Sequence, residues 1–145
     1  MINRKASAHW SGNIKEGKGT ISTESGALSS QPYGFNTRFE DAPGTNPEEL
    51  IGAAHAGCFT MALSKILVDQ TGKEAESLDT TATVSMDKEG EGFAVKKIHL
   101  KLKGNVPGID SDAFMAAAET AKANCPLSKL LEGGAEITMD AEFEG

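Results

Sequence analysis

The chain has 145 residues, 39% of them hydrophobic and 24% charged, with a formal net charge of -7. That length fits one domain, residues 1–145, with enough apolar material for a packed core. The acidic balance, with no Lys/Arg cluster to offset it, disfavours phosphate backbones and anionic lipid surfaces, which argues against nucleic acid or membrane partners.

The opening residues, MINRKASAHWSGNIKEG, carry no apolar run of about 7–15 residues behind their positive charges. The longest apolar stretch is broken by His55, Thr60, Ser64 and Lys65, so neither an export signal nor an anchor is predicted. Two cysteines, Cys58 and Cys125, are too few for a secreted disulfide framework, and no second His or Cys pair has metal-ligand spacing. The expectation is a cytoplasmic protein without a metal, its thiols free or redox-active.

In chain order, residues 4–10 and 17–24 alternate loosely around SGNIKEG, whose Gly12, Asn13 and Gly17 suit a turn, and predict an opening hairpin. A third short strand is expected after Gly26. QPYGFNTRFEDAPGTN, residues 31–46, is rich in Pro, Gly, Asn and Asp and reads as a long connection, at a length where loops tend to be functional. Asn46-Pro47-Glu48-Glu49 then carries a helix start: an N-cap, a proline at the first position, and two carboxylates facing the positive end of the helix dipole. The helix is predicted from Pro47 to about Gln70, with Gly72 ending it. Its residues are apolar almost all round, which requires cover on every side. A sheet covers one side only, so a second copy of the chain, helix against helix, is the expected cover for the other.

LDTTATVSMDK and FAVKKIHLKLK, residues 78–88 and 93–103, alternate with period two and predict a long antiparallel hairpin. A helix is predicted over residues 110–123 and a short one from Cys125-Pro126 to about Leu131, with AEITMDAEF as a last strand. About six strands and two main helices, in the order strands, helix, strands, helix, strand, suit an α+β fold.

Cys58 sits in AAHAGCFTMALS, in the middle of the long helix. An apolar helix interior raises a thiol pKa and favours an inert core cysteine, whereas a nearby cation would lower it and make the thiol reactive. Arg38, on the preceding connection, is the stronger candidate cation, since Lys65 lies about 10 Å further along the helix axis. Glu48 is a natural carboxylate partner for that arginine. Glu48 and Cys58 are separated by roughly 15 Å of rise and about 80° of rotation, so they cannot touch in a straight helix. Either Arg38 bridges them, or one group comes from a second chain. Cys125 precedes a helix start where free N–H groups favour a thiolate, so local electrostatics alone rank it above Cys58. His55 reads as a core or interface histidine, on the same face of the helix as Glu48.

QPYGFNTRFED, GTNPEELIGAAHAGCFTMALS and AKANCPLSKLL, in that order and spacing, closely resemble the osmotically inducible protein C branch of the superfamily that also contains the organic hydroperoxide resistance proteins. The resemblance covers essentially the whole chain. It implies an α+β fold of antiparallel sheets wrapped around long central helices in an intertwined homodimer, with active sites at the subunit interface and no metal or organic cofactor. It also implies a thiol-dependent peroxidase acting on organic hydroperoxides, and more weakly on hydrogen peroxide, in oxidative and osmotic stress defence. Carried over by motif, Cys58 resembles the peroxidatic cysteine, Cys125 the resolving one that joins it in a disulfide, Arg38 the activating arginine and Glu48 the carboxylate that orients it. The ranking of the thiols from local electrostatics is thereby reversed. An external dithiol, such as a lipoylated protein, is the implied reductant. Tyr33, Phe35, Phe59 and Met61 are the expected apolar wall of the substrate pocket. The rival reading is a non-catalytic dimer holding an apolar ligand at its interface. A general disulfide reductase is disfavoured by the lack of a Cys-x-x-Cys motif.

Overall fold

The alternating opening residues form β1 (Ala6–Ser11) and β2 (Lys18–Thr23), paired antiparallel in a computed structural model that describes residues 1–144. Asn13 shapes the turn between them: its side-chain oxygen accepts the backbone N–H groups of Lys15 (3.1 Å) and Glu16 (2.7 Å), and its carbonyl accepts that of Gly17 (2.9 Å). The described residues divide into two compact units, Met1–Leu50 and the chain from Ile51 onward.

The first unit is completed by elements inside the stretch read as a connection. β3 (Gln31–Tyr33) pairs antiparallel with β2, giving the sheet order β1-β2-β3. Pro32 is tolerated because β3 is an edge strand and needs no donor on its outer side. α1 (Phe35–Phe39) follows, where no helix was predicted. The Thr37 hydroxyl nucleates it, accepting the Gly34 N–H (2.8 Å) and donating to the Gly34 carbonyl (3.0 Å). Side-chain bonding of this kind supplies what five residues of propensity do not.

α2 (Pro47–Thr71) begins as its sequence predicts. Asn46 Oδ1 accepts the Glu49 N–H (2.8 Å), and Asn46 Nδ2 donates back to the Glu49 carboxylate (2.7 Å). Gly72, at a φ of 73°, closes the helix by donating its N–H to Val68 (2.9 Å). Only one stripe of α2 is buried: Gly52, His55, Phe59, Leu63 and Leu67, at three- and four-residue spacing. Met61 (73%) and Val68 (43%) stand exposed, so the cover expected on every side is absent from a single chain. By length and composition α2 could also cross a membrane, with 28% of its most apolar window buried.

In the second unit β4 (Ser77–Glu89) and β5 (Gly92–Asn105) form the predicted antiparallel hairpin, with a bulge between Ser85 and Met86. β6 (Glu136–Phe143) pairs with β5 in parallel, giving the order β4-β5-β6. This corrects the expectation of wholly antiparallel sheets. The intervening chain carries α3 (Ser111–Asn124) and α4 (Pro126–Leu131) back along the sheet, and such a crossover lets the next strand run in the same direction as the last. The overall class is α+β, as expected.

The core of this unit joins Ile98, Leu100 and Leu102 of β5 to Phe59, Leu63 and Leu67 of α2 and to Phe114, Ala117, Ala118 and Ala121 of α3. Gly104 is required by that packing, since a Cβ there would come within 2.5 Å of two Phe114 ring atoms. Phe114 in turn meets Phe143 of β6 at 5.0 Å between ring centroids.

Candidate functional site

The charged residues singled out in the sequence meet in the first unit. Arg38, on α1, donates from Nε and Nη2 to Oε1 of Glu48, in the first turn of α2, both at 2.8 Å. Glu48 is 12% exposed and Arg38 40%, so the carboxylate is the shielded partner of the two. The Arg38 guanidinium also lies 5.4 Å from the centre of the Phe39 ring. Two contacts of this kind leave few orientations to a side chain that is otherwise flexible.

Tyr33 and Phe35 line a cavity of about 70 Å³ beside Arg38, together with Trp10, Ile14 and Phe39. Trp10 and Tyr33 pack at 5.6 Å between centroids, and Gly19 makes room for both. A Cβ at Gly19 would lie 2.4 Å from the Tyr33 ring and 2.6 Å from that of Trp10. Trp10, Ile14 and Phe39 did not stand out in the sequence, because strand pairing and a helix without a sequence signature bring them to the arginine.

In the second unit the two thiols are neighbours. Both are free, Cys58 half-buried on α2 and Cys125 buried at the junction of α3 and α4. Cys125 is near enough to Cys58 to raise its pKa. The start of α4 serves Cys125 directly, since the Ser128 N–H donates to the Cys125 sulfur at 3.3 Å. Pro126, which has no N–H, occupies the first helical position, so it costs the site no donor.

Burial pushes the Cys58 thiol above its ordinary value of 9.0, the Leu127 N–H pulls it down, and the neighbouring Cys125 raises it further. The net displacement is upward, the direction expected of an apolar helix. These groups hold Cys58 as a thiol near neutrality, and a cation brought against it would act in the opposite sense.

The remaining residues fall elsewhere. Phe59, expected in the pocket wall, is fully buried within the core cluster; it lies four residues from both His55 and Leu63 on the inward stripe of α2. Met61 is exposed and borders a different groove with Ala56, Thr60 and Thr80. His55 is fully buried with Nε2 2.8 Å from the Ser128 hydroxyl, which explains half of the hydrogen-bonding expected of it. Its Nδ1 finds no partner among the described residues. Ser128 was overlooked, although its place at the third position of a helix capped by Cys125 was visible in CPLS. Among the described residues no group of three or more His, Cys, Asp and Glu side chains is placed to hold a metal ion.

The family model described as OsmC-like protein matches residues 39–140 of the chain. Peroxiredoxin OsmC of Escherichia coli (strain K12) is 57% identical over 143 residues, which cover 99% of this chain and 98% of that protein. Organic hydroperoxide resistance protein OhrB of Bacillus subtilis (strain 168) is 27% identical over 122 residues, covering 84% of this chain and 88% of the relative. Among solved structures, an organic hydroperoxide resistance protein OsmC of Legionella pneumophila shares the fold, with a TM-score of 0.72 at 23% identity over 98% of each chain. The crystal structure of OhrB of Bacillus subtilis has a TM-score of 0.69 at 24% identity, covering 95% of this chain and 98% of that one.

Proposed function

The chain belongs to the OsmC-like protein family, and on that premise we infer that it is a peroxiredoxin-like cysteine peroxidase, reducing organic hydroperoxides in stress defence. The observation that supports the mechanism is the thiol pair: Cys125, capping α4 and accepting the Ser128 N–H, is near enough to Cys58 to raise its pKa.

In this reading the Cys58 thiolate attacks one peroxide oxygen, the O–O bond breaks, and the other oxygen leaves as an alcohol or water. Cys58 becomes a sulfenic acid. The Cys125 sulfur then displaces the sulfenic oxygen, giving a Cys58–Cys125 disulfide and water. An external dithiol, of the kind carried by lipoylated proteins, restores both thiols by exchange.

Arg38 is the cation assigned to Cys58, and Glu48 the group that keeps it oriented. A guanidinium that meets both the thiolate and the developing charge on the peroxide joins activation to transition-state stabilisation. A second copy of the chain is part of this reading. We assign the bare apolar side of α2, with Met61 and Val68 exposed, to contact with that second copy. The free thiols and the acidic charge support a cytoplasmic location. The aromatic cavity beside Arg38, with Tyr33 and Phe35, is the assigned seat of the organic group.

The test is turnover of cumene hydroperoxide under dithiothreitol, with sulfenic acid trapped for mass spectrometry. Cys58→Ser is expected to lose turnover, and Cys125→Ser to yield a trapped sulfenate on Cys58. Consumption of peroxide at the parent rate by both variants would sink the assignment.

A further inference from the structure

Ser128 is more than a turn residue. Its hydroxyl stands 3.0 Å from the Cys125 sulfur, accepting from the thiol, and 2.8 Å from His55 Nε2. All three side chains are buried, within an otherwise apolar cluster. A serine hydroxyl has one proton, so if it accepts from the thiol it is free to donate to the imidazole. That requires an unprotonated Nε2 and places the ring proton on Nδ1, the buried atom that has no partner. A buried donor left unpaired carries its full desolvation penalty, and a leucine or phenylalanine at position 55 would avoid it. Beyond Ser128 lies a cavity of about 280 Å³ lined also by Glu119, Lys122 and Glu132, roomy and polar enough for water.

We propose that Ser128 and His55 form a proton relay for Cys125: the thiol passes its proton to the Ser128 oxygen as the Ser128 proton passes to His55 Nε2, leaving a Cys125 thiolate aimed at Cys58. The inference rests on the reading of Cys125 as the resolving thiol. In the step it serves, the Cys125 sulfur forms a bond to the Cys58 sulfur and the sulfenic S–O bond breaks. The departing hydroxide takes up one proton, returned by His55 through Ser128 or drawn from the water-accessible cavity, and leaves as water. The Cys125 thiolate supplies the electron pair of the new S–S bond and the Cys58 sulfur, already oxidised to the sulfenic level by the peroxide, accepts it as the S–O bond breaks, so no further oxidant is needed. Ser128 touches a reacting atom; His55 acts through it and is a positioning residue. Burial holds the His55 pKa below its ordinary value, which keeps the ring in the neutral form that can accept.

The experiment follows one turnover of the reduced full chain with an equivalent of cumene hydroperoxide, quenched in acid at intervals, with Cys58 sulfenate and Cys58–Cys125 disulfide read by mass spectrometry. In Ser128→Ala disulfide formation is expected to slow by about 100-fold while sulfenate accumulates, the usual scale of a lost acid–base group. In His55→Ala the same step slows, and added imidazole restores part of the rate, a response that a packing defect would not give. Heavy water slows disulfide formation in the parent, a measurement that stands even if a variant fails to fold. Parent-rate disulfide formation in both variants, or no slowing of the parent in heavy water, overturns the relay. If the parent itself forms neither sulfenate nor disulfide, the peroxidase reading falls and the relay with it.

Discussion

The arginine and the thiols are held in place by opposite means. In the first unit Arg38 sits on a five-residue helix started by one threonine hydroxyl, and its orientation comes from charge: a carboxylate at 2.8 Å and an aromatic ring beside it. In the second unit Cys58 and Cys125 are fixed by packing, the one against the core and the other within it. The difference teaches how a nucleophile can be both dry and responsive. A wholly apolar setting leaves its thiol protonated, and a wholly exposed one offers no shape. On the proposed function, dividing the work would let the sulfur stay sheltered while a charged group supplies the activation.

That comparison is broken most severely from the packed side. Phe114→Ala removes the ring that Gly104 accommodates and should cost about 3–5 kcal/mol, read as a lower denaturant midpoint. The Arg38–Glu48 contacts lie wholly in the first unit, so the loss of stability is expected to trace to the core alone. A loss below about 1 kcal/mol would show that this core is not what holds the thiols.

The charged side breaks next. Arg38→Ala is expected to lower the rate of peroxide reduction by about 100-fold to 1,000-fold, the scale of a lost preorganised charge contact. It should also leave a pH profile set by Cys58 alone. The thiol is displaced upward, so the protonated form dominates below its pKa and the rate should climb as pH rises toward it. The parent profile should be flatter over the same range. Glu48→Gln is expected to fall between the two, since the arginine keeps its charge and loses its orientation. Equal pH profiles for the parent and Arg38→Ala in stopped-flow assays would remove Arg38 from the mechanism.

The smallest effect sharpens the picture of α2. In a single chain a Cβ at Gly57 would meet nothing within 4 Å. Gly57→Ala should therefore stabilise the helix by up to about 1 kcal/mol if that face is open. If a second copy packs there, the same change is expected to weaken association, which sedimentation at several concentrations would register. An unaltered sedimentation profile with raised stability would move the dimer contact off Gly57.

Much of this was legible in the sequence. Capping by Asn46, the helix stop at Gly72, and the period-two strands of β4 and β5 are local signals, and each appears where it was expected. Arg38 and Glu48 are found paired. What the sequence hid was of two kinds. α1 escaped because Thr37 and Gly34 make a helix from residues that otherwise read as turn formers. The parallel direction of β6, the burial of Phe59 and the His55–Ser128 contact escaped because each is decided by where distant segments come to lie. Periodicity can show that α2 is apolar all round; it cannot say which stripe the sheet will take.

The parallel pairing of β5 with β6 also orders events in time. Residues 106–135, with α3 and α4 and hence Cys125, form the crossover that must close before β6 can take its place. Such non-local closure is a slow step of folding. As the chain leaves the ribosome, Cys58 is therefore present before its partner thiol exists. A nascent chain thus passes through a stage with Cys58 and no second cysteine, and with no means of forming a disulfide of its own.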